Sequence, residues 1–82
     1  MTATYKITVT KGATALGIQK GQRTTLTLTA VPDLGIRANL GPYILWMTGN
    51  RKHLKPLAPG DVIALNDGDP SHAIKIVIRS AA

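Results

Sequence analysis

The residues of this chain that could do chemistry are four aspartates, two histidines and two serines. The carboxylates are Asp33, Asp61, Asp67 and Asp69, and there is no glutamate. A general acid/base pair needs two carboxylates held on rigid elements around a cleft. All four aspartates instead fall in Gly/Pro/Asn-rich stretches, where the side chain serves the nearby backbone, so they read as turn formers. Asp67-Gly68-Asp69 could open a calcium loop, but the further oxygen ligands and the closing bidentate glutamate of such a loop are missing. His53 and His72 have polar loop neighbours and no cysteine, histidine or acid at a metal-ligand spacing, and both read as exposed loop residues. Ser71 and Ser80 are the only serines. Neither sits in G-x-S-x-G, and Ser71 beside His72 is an adjacency that would point the two side chains apart on a strand. No catalytic, metal or cofactor constellation is expected, and the chain is read as a non-enzyme.

What remains is charge. Ten Lys/Arg against four Asp give +6 and a pI near 10, which suits a polyanionic partner: nucleic acid, an anionic surface or an acidic protein. The densest basic run is Arg51-Lys52-His53-Leu54-Lys55, after a Gly49-Asn50 turn. Nucleic-acid binders of small-barrel type also use aromatic platforms. The aromatics here are Tyr5, Tyr43 and Trp46 alone, and Tyr5 and Trp46 fall in strands where core packing is the expected role.

The elements that must position these residues have period two. Tyr5, Ile7 and Val9 alternate with Lys6, Thr8 and Thr10. In RTTLTLTAV, residues 23–31, Leu26, Leu28 and Ala30 alternate with Thr25, Thr27 and Thr29. Ile74, Ile76 and Ile78 alternate with Lys75, Val77 and Arg79. These are strands with one buried face. YILWMT (43–48) is a more continuous apolar run, expected to be a central strand, and DVIAL (61–65) is another strand. Shorter candidates are 15–18, 36–40 and 54–57. Turn signals recur every ~8–12 residues, as in a sandwich or barrel, and no helical periodicity holds for three turns. The expected core is Ile7, Val9, Leu26, Leu28, Leu45, Ile63, Leu65, Ile74, Ile76 and Ile78, with Trp46 packed under Gly41-Pro42.

Eighty-two residues make one domain, 1–82. No cysteine is present to form a disulfide. No apolar run approaches the ~18 residues of a membrane span, and the opening MTATYKITVT lacks a basic segment followed by an apolar one, so neither a membrane partner nor a secretion signal is expected.

The threonine faces ask for a reason in so basic a chain. If the first two strands pair, Thr8 and Thr10 join Thr25, Thr27 and Thr29 in a neutral polar patch. Threonine is stiff at χ1 and a good exposed strand residue, which alone accounts for it. The patch is also suited to protein contact, because no charge has to be stripped of water there.

The glycine turn and leucine-rich strand Gly21-Gln22-Arg23-Thr24-Thr25-Leu26-Thr27-Leu28-Thr29-Ala30, followed by a tryptophan on YILWMT, resembles immunoglobulin-like modules of bacterial surface proteins and phage particles, including capsid decoration proteins. The resemblance covers residues 4–48 and lacks a cysteine pair and a tyrosine corner. LKPLAPGDVIAL resembles a hairpin of SH3-like barrels. The expected fold is thus all-β, a small immunoglobulin-like sandwich, with an SH3-like small β-barrel as the alternative. The resemblance implies a structural module docking on a larger assembly, most concretely a phage capsid decoration protein on the major capsid protein. It would be homo-oligomeric in that context and located in the virion, or otherwise in the cytoplasm. Contacts are expected from Thr25, Thr27, Thr29, Arg51, Lys52 and Lys55, together with strand edges. The alternative function is a basic nucleic-acid-binding small barrel.

Overall fold

The computed structural model describes residues 2–48 and 54–82. Six strands follow one another: β1 Thr2–Lys11, β2 Arg23–Val31, β3 Gly35–Leu40, β4 Tyr43–Met47, β5 Val62–Asn66 and β6 Ile74–Ala81. Each pairs antiparallel with the next, and β6 returns to β1, closing a barrel in the order β1-β2-β3-β4-β5-β6. The all-β class is as the alternation demands. The two-sheet sandwich is not what these strands build. Strands adjacent in sequence are adjacent in the sheet, through short turns at 32–34 and 41–42 and longer connections elsewhere, and the sheet curls onto itself, as in the small-barrel alternative.

Closure depends on β1, the longest strand, which pairs along its length with both β2 and β6. Its ladder to β6 is interrupted between Lys6 and Ile7 and again between Val9 and Lys11. Such irregularities bend and twist a strand, as a tight barrel needs. Cations on an outer face, as Lys75 and Arg79 are on β6, would suit an edge strand. β6 is instead paired on both sides.

All ten expected core residues are buried in the interior, joined by Tyr5, Ile36, Ala38 and Leu40. Small residues face large ones where space narrows. Ala3, Leu28, Ala38 and Leu45 form one row across β1–β4, with Ala38 between two leucines, the size alternation a small barrel interior requires. Residues 54–57 form no strand, so no hairpin precedes β5. Leu54 and Leu57 pack against the core from this loop, and the Leu57 N–H donates to the Tyr5 hydroxyl at 3.2 Å. Residues 14–16, overlapping the expected strand 15–18, turn as a 3-10 helix that ends at Gly17, whose φ is 71°. At Gly12 the chain passes so close to the Ile18 carbonyl that a Cβ would sit 2.3 Å from it, which leaves no room for any other residue.

YILWMT differs most from expectation. Only Leu45 is fully buried; Ile44 points outward and is 57% exposed, and Trp46 is half-buried on the same outer side. The run is apolar on both faces, but a one-layer barrel has only one interior. Trp46 does not lie under Gly41-Pro42, where Tyr43 borders the groove instead. It sits opposite Arg37 and Asn66.

The β4–β5 seam is the thinnest in the barrel. It holds two register pairs, Trp46–Asn66 and Met47–Leu65, extended by the Thr48 N–H to the Ala64 carbonyl at 3.1 Å. Local opening follows the weakest pairing. Amide hydrogen exchange by NMR is therefore expected to be fastest, among strand residues, at Met47, Thr48 and Leu65, and slowest in the centres of β1, β2 and β6. Uniform protection around the barrel would contradict this.

Candidate binding wall and the acidic turn

The strands carry six cations and no carboxylate: Lys6 and Lys11 on β1, Arg23 on β2, Arg37 on β3, and Lys75 and Arg79 on β6. The alternation that sends Ile, Leu and Val inward sends all of these but Lys11 to the outer wall; Lys11 shares the parity of Val9 and is exposed past the register shift at the end of β1. Among the described residues no lysine or arginine lies within 4.0 Å of a carboxylate; the ion pairs involve only His72. Lys11 and Lys75 face each other in register. Like charges directly opposed on adjacent strands are destabilising. Arg79 Nε donates to the Ile7 carbonyl at 3.4 Å, at the irregularity in the β1–β6 ladder.

Strand pairing does assemble threonines, with different members than expected. Thr29 lies opposite Thr2 and Thr27 opposite Thr4, while Thr25 faces Lys6 and Thr8 faces Arg23. The hydroxyls of Thr2 and Thr29 are 3.4 Å apart, and those of Thr4 and Thr27 are 3.3 Å apart. The neutral patch is therefore Thr2, Thr4, Thr25, Thr27 and Thr29. Register, which cannot be read from one strand, decides this. Arg51, Lys52 and His53 lie outside the described residues. Lys55 is exposed on the loop before β5, outside the strands.

One row crosses the wall from β1 to β5: Thr2, Thr29, Arg37, Trp46 and Asn66. Directly opposed side chains have Cβ atoms about 4.5–5.5 Å apart, so Arg37 and Trp46 are within reach of each other. The Arg37 Nε is screened from solvent and has no hydrogen-bond partner. Sequence reasoning missed this row because it placed Trp46 in the core. The signal that could have found it is parity: Leu45 had been chosen as inward, which puts Ile44 and Trp46 outward.

The aspartates are engaged elsewhere. Asp61 Oδ2 accepts the Ala58 N–H at 2.8 Å. In the β5–β6 turn, Asn66, Asp67 and Asp69 each accept the N–H two residues on, from Gly68, Asp69 and Ser71, at 3.0, 3.1 and 2.9 Å. These successive side-chain turns are the expected backbone role. His72 departs from expectation: it is half-buried, with Nδ1 2.7 Å from Asp67 Oδ2 and Nε2 3.7 Å from Asp69 Oδ2. No group of three metal-ligating side chains occurs among the described residues, and no helix among them is long and apolar enough to cross a membrane.

The hydrogen bond to Asp67 raises the His72 pKa above its ordinary 6.5. The bond to His72 lowers Asp67, and the bond from the Ser71 hydroxyl lowers Asp69, both below the ordinary 3.8. A raised histidine stabilises the fold fully below 6.5 and loses that contribution as pH rises through its folded pKa. The lowered carboxylates stabilise above 3.8 and lose their contribution as pH falls through theirs. The turn is therefore held best between those limits. In an NMR titration His72 is expected to titrate above 6.5, and Asp67→Asn to bring it back toward that value. A wild-type midpoint at or below 6.5 would contradict the pairing. No protein-family model, curated protein or solved structure matches this chain, so the role of the wall follows from its own chemistry.

Proposed function

We propose that this protein is a non-enzymatic binding module that docks on an anionic macromolecular partner through the outer wall of its barrel. The observation that carries this reading is charge segregation. Every charged side chain on the strands is a cation without an acidic partner, and the described carboxylates with side-chain bonds are engaged in their own turns. Strand preference alone keeps aspartate off the wall, but glutamate is only mildly disfavoured in strands, and a solvated wall ordinarily mixes both signs. An anion lying across Lys11 and Lys75 would relieve their repulsion. Docking by strand-edge addition has little support once the sheet closes, since closure removes edges. The contact is made by side chains.

A second reading, the capsid decoration protein, is favoured by one feature: the paired hydroxyls of Thr2, Thr4, Thr27 and Thr29. They form a neutral polar surface that can meet a protein lattice without desolvating charge. In that version the cations complement an acidic shell, and the protein stays on the particle through a salt wash.

The test separates wall from loop. Lys6→Glu with Lys75→Glu and Lys20→Glu with Lys55→Glu each take the formal charge from +6 to +2. The first pair alters the wall, the second a turn and a loop. On a heparin column and in solution titration with heparin, the wall pair is expected to weaken binding about tenfold or more near 0.1 M salt, and the turn-and-loop pair far less. Equal losses would assign the effect to net charge and overturn the wall as the site.

A further inference from the structure

We propose that the anionic partner is a single-stranded nucleic acid, and that Trp46 is the platform on which one of its bases stacks. This rests on the reading of the wall as a polyanion-binding surface and names the partner that the wall's one aromatic selects.

Trp46 is the chain's sole tryptophan. Aromatic side chains contribute most to stability when buried in a core. Here the interior is closed without it, and Trp46 lies half-buried on the outside. Its placement there does nothing to complete the core. Its neighbours in register are Arg37 on β3 and Asn66 on β5. Two register pairs further along, on the same outer face, Asn39 faces Ile44. The site thus combines a planar π surface, an arginine and two carboxamides. Those are the groups that take a base face, a phosphate and the polar edges of a base. The Arg37 Nε is screened from solvent and without a partner, so a bound strand would meet this arginine through its terminal guanidinium nitrogens. From this corner the wall continues through Thr29 and Thr25 on β2 to Lys6 and Arg23, so a backbone leaving Trp46 across the strands runs toward further cations and meets no carboxylate.

Other anions fit less of this. Duplex DNA keeps its bases stacked on one another and is read by a helix or ribbon entering a groove, whereas this wall is convex and has neither. An acidic peptide is satisfied by the cations alone, and its charge makes no use of the indole. A flipped-out or unpaired base does, and stacking on aromatics is sequence-tolerant because every base has a π face.

The sole tryptophan makes the test direct. The full chain is titrated with an oligothymidylate of about 12 nucleotides, within the ~4–16-nucleotide footprint of one small barrel module. Tryptophan fluorescence and the anisotropy of an end-labelled oligonucleotide are followed together. Heparin serves as a polyanion without bases, a matched duplex as the paired form, and polyglutamate as the acidic-protein surrogate. The expected result is quenching of Trp46 by the oligonucleotide but not by heparin. Trp46→Leu should weaken oligonucleotide binding at least about fivefold while leaving heparin affinity unchanged, and Trp46→Phe should retain most of it. Circular dichroism melting checks that each variant is folded.

If oligonucleotide and heparin both bind but the fluorescence does not move and Trp46→Leu is silent, stacking is overturned and the cationic wall stands. Tighter binding of the duplex or of polyglutamate than of the single strand overturns the choice of partner. If none of the four polyanions binds, the wall reading itself falls, and the inference with it.

Discussion

The structure depends on one constraint: β1 must pair with two partners at once. Pairing with β2 is local and would give only a hairpin; pairing with β6 turns a six-stranded ribbon into a barrel. Closure sends every second side chain of every strand into one shared interior, and it leaves a single outer surface. The irregularities in the β1–β6 ladder are the cost of that curvature in lost backbone hydrogen bonds. Arg79 recovers part of it by donating to the Ile7 carbonyl.

Because the interior is shared, the outer wall inherits whatever the alternation leaves over. In this chain the remainder is mostly threonine, asparagine and cations, with Trp46 and the apolar Ile44, Val62 and Val77 among them. Aspartate is kept off it for a local reason. A short carboxylate accepts an N–H two residues on, which stabilises turns, and aspartate is among the poorer strand residues. The absence of glutamate removes the other common source of negative charge on a strand. The wall's electrostatic character is thus a product of secondary-structure preference and composition acting together, with Arg37 and Trp46 opposite each other on it.

Much of this was legible in the sequence. The Ile74–Ile76–Ile78 and Leu26–Leu28 alternations named the buried face without error, because a one-residue slip would expose every apolar side chain of the strand. The placement of all four aspartates outside strands followed from the glycines and prolines beside them. Three things were not legible. The choice between sandwich and barrel rests on whether β6 meets β1, a contact between chain ends that no local pattern encodes. The identity of the threonines that face one another depends on register across two strands. The side chosen by Trp46 was hidden by a run that is apolar at every position, where alternation carries no signal and only the neighbouring assignment of Leu45 does. His72 was hidden for a similar reason: its partner Asp67 is five residues away, brought close by a turn whose geometry depends on three successive side-chain bonds.

The meeting of β1 and β6 has a kinetic consequence. Arg79 and Ile7, which touch in the folded protein, are 72 residues apart in sequence, and the β1–β6 pairing they belong to carries the largest loop-closure entropy in the molecule and belongs late in folding. Until it occurs, the chain is an open ribbon with two unpaired flanks rich in isoleucine, valine and threonine, the composition that templates intermolecular stacking. Lys6 on one flank and Lys75 and Arg79 on the other then act as gatekeepers, keeping partly formed molecules from zipping onto one another. The cations of the wall thereby protect the nascent chain before there is a wall for any partner to find.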